Sequence, residues 1–254
     1  MSKKTSPQKK LQRVNCGPYR RIIIYSGGAA KAGTHPLPLQ VKRERKRVSS
    51  EKKLLSNIKA SKNRFRALVY GNVTPAWTLV TLTFDNEHDP GTKRSVKPYW
   101  RRFSDIVRRW VKGTPVQAFK YFRIIEDKHG AGRPHIHLLT NIPESMREEF
   151  LSIWPYGAYA QQDMKRIECD PYGRIDIDAL CRYLTKERRE LDERLYTTSR
   201  NLKRIERDPV ETIPEDTEIM DIPLPGEHFI LDRGEWRGRY GYIGFIDFIL
   251  VQRE

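Results

Sequence analysis

Ile124-Ile125-Glu126-Asp127-Lys128-His129-Gly130-Ala131-Gly132-Arg133-Pro134-His135-Ile136-His137-Leu138-Leu139 is the stretch on which the reading of this sequence turns. Two apolar runs flank a Gly-rich polar segment, the pattern of a β-hairpin closed over Lys128–Gly132. Side chains two apart on a strand point the same way. His135 and His137 therefore share one face, and Ile136 and Leu138 share the other. The apolar face suits a core; the face with two imidazoles suits a metal. Glu126, at the end of the partner strand, is placed to bring a carboxylate beside them. Two imidazoles and a carboxylate match a divalent first-row ion whose remaining positions go to water or substrate oxygen. Taken alone, a His-x-His on a strand is commonplace, so the rest of the chain decides its weight.

The chain has 254 residues and a formal net charge of +16, with 38% hydrophobic residues. The excess charge is uneven. Residues 1–76 hold 19 Lys and Arg against 2 acidic residues, while the other 178 hold 29 against 30. Such a balance points to a polyanionic partner contacted from the N-terminal part. Cys16, Cys169 and Cys181 are odd in number and widely spaced with no CxxC pair, which argues against a disulfide framework or a zinc finger and for a reducing compartment. No apolar run approaches the roughly 18 residues of a membrane span, so a soluble, cytoplasmic protein is expected.

Residues 1–48 read as a basic arm, flexible and phosphate-contacting, with one short strand at Ile22–Tyr25 and a basic run at Lys42–Arg47. A helix capped by Ser49 or Ser50 carries Leu54, Leu55, Ile58, Phe65, Leu68 and Val69 at helical spacing, interrupted by Ser61. Lys52, Lys53, Lys59, Lys62, Arg64 and Arg66 take its other faces. Trp77–Phe84 is dense in β-branched and aromatic residues and reads as a buried strand. Residues 95–112 read as an amphipathic helix, with Val96, Tyr99, Trp100, Phe103, Ile106, Val107, Trp110 and Val111 in a helical stripe and Lys97, Arg101, Arg102, Arg108, Arg109 and Lys112 on the opposite side. The spacing further predicts a strand over Gln117–Glu126, a short helix over Pro143–Trp154 and a strand over Tyr159–Ile167. A helix beginning at Asp176 or Asp178 carries Tyr183 and Lys186 on one face. Beyond it, Asp208–Glu227 reads as an acidic linker. His228–Val251 reads as two strands around an Asp232-Arg233-Gly234 turn, the second partly helical, a small extension packed on the preceding domain.

The order of three motifs adds specificity: a Val80-Thr81-Leu82-Thr83-Phe84 strand, a His135-Ile136-His137 strand and a helix bearing Tyr183-x-x-Lys186. This order resembles that of HUH endonucleases, the rolling-circle replication initiators of plasmids and small single-stranded DNA viruses. It is more narrowly similar to the replication-associated proteins of bacterial mobile elements and filamentous phages. There a basic helix precedes the Thr-Leu-Thr-Phe strand, and a stretch like Ser199-Arg200-Asn201-Leu202 follows the Tyr helix. The resemblance covers roughly residues 49–205. It implies an α+β nuclease domain with a mainly antiparallel sheet and flanking helices, preceded by the basic arm and followed by the β-rich extension at 206–254.

On the matching positions the resemblance implies that His135, His137 and Glu126 hold Mg²⁺ or Mn²⁺. Tyr183 is then the single tyrosine nucleophile and Lys186 its companion. Arg101, Arg102, Arg108, Arg109, Arg133, Arg200 and Lys203 are the expected contacts to DNA. The implied activity is nicking and joining of single-stranded or origin DNA at the start of replication, with host polymerase and helicase as partners, since the chain has no Gly-x-x-x-x-Gly-Lys nucleotide loop. A transposase or mobilisation relaxase would use the same chemistry. A non-catalytic nucleic-acid-binding protein would leave the histidine pair structural.

Overall fold

The computed structural model describes residues 8–26, 51–127, 132–158, 162–167, 175–186, 194–238 and 241–251. The basic run Lys42–Arg47, the Ser49 and Ser50 caps, hairpin residues 128–131 and residues 159–161 of the expected sixth strand lie outside them. The fold is α+β, with two open antiparallel sheets and four α-helices among the described residues. The chain forms two compact units, residues 49–202 and residues 1–48 with 203–254. No helix among the described residues is long and apolar enough to cross a membrane.

In residues 49–202, helix α1 (Glu51–Asn72) leads into strand β3 (Thr78–Leu82), helix α2 (Val96–Trp110), strands β4 (Tyr121–Glu126) and β5 (His135–Thr140), helix α3 (Arg147–Ser152), strand β6 (Asp163–Arg166), helix α4 (Ile177–Leu184) and strand β7 (Thr197–Thr198). The strands line up as β6-β3-β5-β4-β7, every pair antiparallel. The hairpin read from the sequence is thus the middle of the sheet. Period-two alternation assigns the faces. Val80, Leu82, Ile136 and Leu138 point to one side, where Val96, Trp100, Phe103 and Val107 of α2 and Phe150 and Leu151 of α3 join them in a buried core. At roughly 1.5–3 kcal/mol per fully buried large apolar side chain, this layer fixes the strand register. The opposite face carries Phe122, Ile124, Leu139 and the two histidines. There α1 docks, with Phe65 meeting Phe122 edge to face at 5.6 Å.

The elements differ from the sequence expectation mainly at their ends. Helix α1 runs through Ser61 without a break. Strand β4 starts at Tyr121 rather than Gln117, which takes a left-handed conformation at φ 59°. The single strand expected in the basic arm is half of a hairpin. Strands β1 (Gln8–Cys16) and β2 (Tyr19–Ser26) pair over eight residues, so Gln8–Ser26 is ordered rather than a free arm. Leu11, Val14, Cys16, Tyr19, Ile22 and Ile24 are buried while Arg13, Arg20 and Arg21 between them stay partly exposed, and the charge count hides this alternation.

Strand β8 (Glu206–Arg207) just precedes the expected acidic linker and β9 (Glu211–Pro214) lies within it, both paired with β1. The Asp232-Arg233-Gly234 turn does not form. Strand β10 (His228–Gly238) runs through it and pairs with a wholly extended β11 (Gly241–Leu250), which in turn pairs with β2. Gly234 serves packing instead: a Cβ there would meet the Phe245 ring at 2.8 Å.

One close approach braces the end of β3. The indole Nε1 of Trp154 donates to the carbonyl oxygen of Thr83 at 2.7 Å, and the Asp85 amide donates to the Tyr156 carbonyl at 2.9 Å. A Cβ on Gly157 would lie 2.3 Å from that Thr83 oxygen. Gly157→Ala is therefore expected to destabilise the protein by about 1–3 kcal/mol. Gly113→Ala, at a position open to solvent, stays within about 0.5 kcal/mol. Thermal denaturation of the two variants side by side checks the contrast.

Candidate metal centre

The register of the hairpin builds the site. Glu126 pairs directly with His135, and His137 pairs with Ile124 on one side and Thr81 on the other. Glu126, His135 and His137 consequently emerge on one face, with a ligand atom from each lying within 4.8 Å of the others. His137 Nε2 is 3.4 Å from Glu126 Oε2, and His135 Nε2 is 3.8 Å from the same oxygen. Glu126 and His137 are 2% and 3% exposed, whereas His135 sits at the rim.

The donor set fits a divalent cation. Glu126 Oε1 and His137 Nε2 are buried and make no hydrogen bond. Unsatisfied buried polar atoms are costly and uncommon in native proteins, and two of them converging within one cluster mark a place prepared for a ligand. Thr81 Oγ1 lies 3.3 Å from His137 Nδ1. That contact orients the ring and keeps Nε2 directed at Glu126, as partners of metal-binding histidines do. Burial pushes the Glu126 carboxyl upward, but His137 and Lys186 outweigh it, so its pKa lies below the usual carboxylate range.

Helix α4 supplies the other half of the site. Its first turn is capped by Asp176, whose carboxylate accepts from the Ala179 amide at 2.8 Å. Ile177, Cys181 and Leu184 face inward. Tyr183 is 45% exposed, and its ring stands 5.5 Å from the His137 ring, centroid to centroid. The helix ends at Leu184, so Lys186 lies past its end instead of on the shared helical face expected from the spacing. The two residues still meet: Lys186 Nζ is 4.3 Å above the Tyr183 ring and 3.4 Å from Glu126 Oε2. Burial pushes the Cys181 thiol up, and burial likewise raises the Tyr196 phenol, whose ring packs on Phe65.

Of the basic residues expected to contact DNA, the six in residues 49–202 do not converge on this cluster. Arg101, Arg102, Arg108 and Arg109 project from α2, which covers the other face of the sheet. Arg108 is paired with Asp105 at 2.7 Å. Arg133 is taken up by the loop after β3: its guanidinium donates to the Phe84 carbonyl at 2.9 Å, to Asn86 and to Asp89. Arg200 is exposed, but Ser199 and Asn201 fasten it to the start of β4, about 17 Å along the strand from Glu126. Lys203 is exposed and lies just beyond that stretch.

Three residues of the site are not legible from sequence. Thr81 is found only once strand register is known. Arg66 and Asp178, which join α1 to α4, are 112 positions apart and leave no local signal.

Residues 77–188 match a family model that describes replication-associated proteins of the ORF2 type. This span contains Thr81, Glu126, both histidines, Tyr183 and Lys186. No curated protein and no solved structure matches the chain.

Two outcomes are expected from the ligand geometry. Mn²⁺ at about 100 times its Kd raises stability by about 2.7 kcal/mol, and Glu126→Gln or His137→Ala removes that gain, as read by thermal melts with and without EDTA. In metal-free protein, the depressed Glu126 pKa contributes stability present above about pH 4.5 and lost as pH falls through its lower folded value. Glu126→Gln should flatten this acid limb of the stability profile.

Proposed function

We propose that this protein starts rolling-circle replication by nicking and rejoining single-stranded DNA, with Tyr183 as nucleophile, a reading supported by the match of residues 77–188 to a model of replication-associated proteins. The observation that carries this reading is the exposed Tyr183 phenol beside a cluster with two orphaned buried ligand atoms, Glu126 Oε1 and His137 Nε2.

Glu126, His135 and His137 would hold Mg²⁺ or Mn²⁺, which supplies Lewis-acid polarisation of a non-bridging phosphate oxygen when bound. Tyr183 Oη attacks phosphorus and the bond from phosphorus to the 3′-oxygen breaks. The phenol proton leaves to water, and the departing 3′-oxygen takes up a proton. The products are a 5′-phosphotyrosine and a free 3′-hydroxyl that primes synthesis. An ordinary tyrosine has a pKa near 10 and is a weak nucleophile at neutral pH. Lys186, with its ammonium over the ring, stabilises the phenolate as it forms. Because the ester retains the phosphodiester's bond energy, attack by another 3′-hydroxyl reverses the step and seals the strand. Exposure of Tyr183 suits entry of a single strand, which a duplex would have to release before cleavage.

A denaturing gel with single-stranded origin DNA tests this. Wild-type protein with Mn²⁺ is expected to form a covalent adduct that EDTA prevents. Tyr183→Phe should bind DNA and form none, and His135→Ala/His137→Ala should lose it as well. An adduct that persists in Tyr183→Phe would overturn the assignment of the nucleophile. DNA binding without an adduct on any origin fragment would favour a non-catalytic binding protein.

A further inference from the structure

Tyr183 sits at the end of a helix of only eight residues, and a phenol must be aligned closely to attack phosphorus in line. A displacement of about 1 Å in such a geometry lowers a rate by about 100-fold. One two-pronged ion pair connects this helix to the body of the unit. Arg66 Nε donates to Asp178 Oδ1 at 2.5 Å, and its Nη2 donates to Oδ2 at 2.9 Å. The two side chains are 16% and 31% exposed, so solvent screens the pair less than it would a surface pair. The planar fork of arginine fixes orientation as well as distance, which a lysine does not do.

The pair is anchored at its far end. Phe65, next to Arg66, is fully buried and meets Phe122 of β4 at 5.6 Å. Contacts therefore run from the strand that bears Glu126, through α1, to Asp178 in the first turn of α4. Asp178 and Tyr183 are five residues apart, about 140° around the helix. The ion pair thus holds α4 on a different side from the one that turns to His137, and a helix held at two places around its circumference resists rolling.

We propose that Arg66 and Asp178 are positioning residues for Tyr183, setting the rotation of α4 that presents the phenol to the Glu126–His135–His137 cluster. This rests on Tyr183 being the nucleophile. Neither residue is among the three that could ligate a metal, so the effect falls on alignment rather than on metal or DNA binding.

The test uses the full chain with Asp178→Asn and Arg66→Lys, both close in size to the originals. Single-turnover adduct formation is measured at saturating Mn²⁺ and single-stranded origin DNA. Mn²⁺ affinity is read by calorimetry, and amide hydrogen exchange is followed over Cys181–Thr185. Both variants are expected to form adduct about 10–100-fold more slowly, with Mn²⁺ and DNA affinities within about twofold of wild type and faster exchange in α4. Unchanged adduct rates would overturn the proposal, as would a rate loss accompanied by an equal loss of Mn²⁺ affinity. If wild-type protein forms no adduct, the nucleophile reading fails on its own. Exchange over Cys181–Thr185 then decides whether the pair holds the helix, and unaltered protection in Asp178→Asn would overturn that too.

Discussion

The antiparallel register between β4 and β5 is the constraint on which the site depends. With Glu126 opposite His135 and Ile124 opposite His137, one carboxylate and two imidazoles share a face. A slip of one residue would turn both histidines into the apolar layer under α2 and send Ile136 and Leu138 to the metal face. The slip is resisted by the core rather than by the site. Ile136 and Leu138 are fully buried with Val80, Leu82, Phe103 and Phe150, and exposing them would cost several kcal/mol. The packing on one side of the sheet thereby fixes the chemistry on the other.

The two faces carry opposite demands, and the helices are divided between them accordingly. Helices α2 and α3 seal the apolar face with large aromatic side chains. On the other face α1 covers the sheet around Phe122, and the short α4 approaches the strand ends where the histidines lie. This leaves Glu126 and His137 almost dry while Tyr183 stays nearly half exposed. A buried carboxylate next to a histidine holds a cation strongly, because little water competes with it. An exposed phenol can meet a large polyanionic substrate. One cluster thus combines nearly dry potential ligand atoms with an exposed phenol.

How far the sequence can be read follows from the range of each interaction. The hairpin, the Trp77–Phe84 strand and the α2 stripe are written in short-range periodicity, and the Glu126–His135–His137 cluster follows from strand geometry with a correct pairing. The N-terminal hairpin is obscured because Lys and Arg interrupt its apolar positions, so charge suggests an arm where alternation makes a sheet. The Asp232-Arg233-Gly234 turn misleads for a related reason: glycine marks turns but also permits close packing, and here Gly234 makes room for Phe245. Helical spacing places Lys186 beyond the point where Leu184 ends the helix, yet the residue still reaches Tyr183 and Glu126. The Arg66–Asp178 pair has no trace in local pattern, since only the tertiary fold brings α1 to α4.

The sheet of the other unit joins distant parts of the chain. Strand β2 pairs with β11, and the Tyr242 amide donates to Ser26 across 216 positions of sequence. Made from the N-terminus at about 5–20 residues per second, β1 and β2 would wait roughly 10–40 s on the ribosome before β11 could follow. During that interval one edge of β2 would offer unpaired amides and carbonyls next to Ile22, Ile23 and Ile24, an open invitation to the wrong strand. Arg20 and Arg21 on the same strand place charges beside that edge, which works against its pairing with another basic segment.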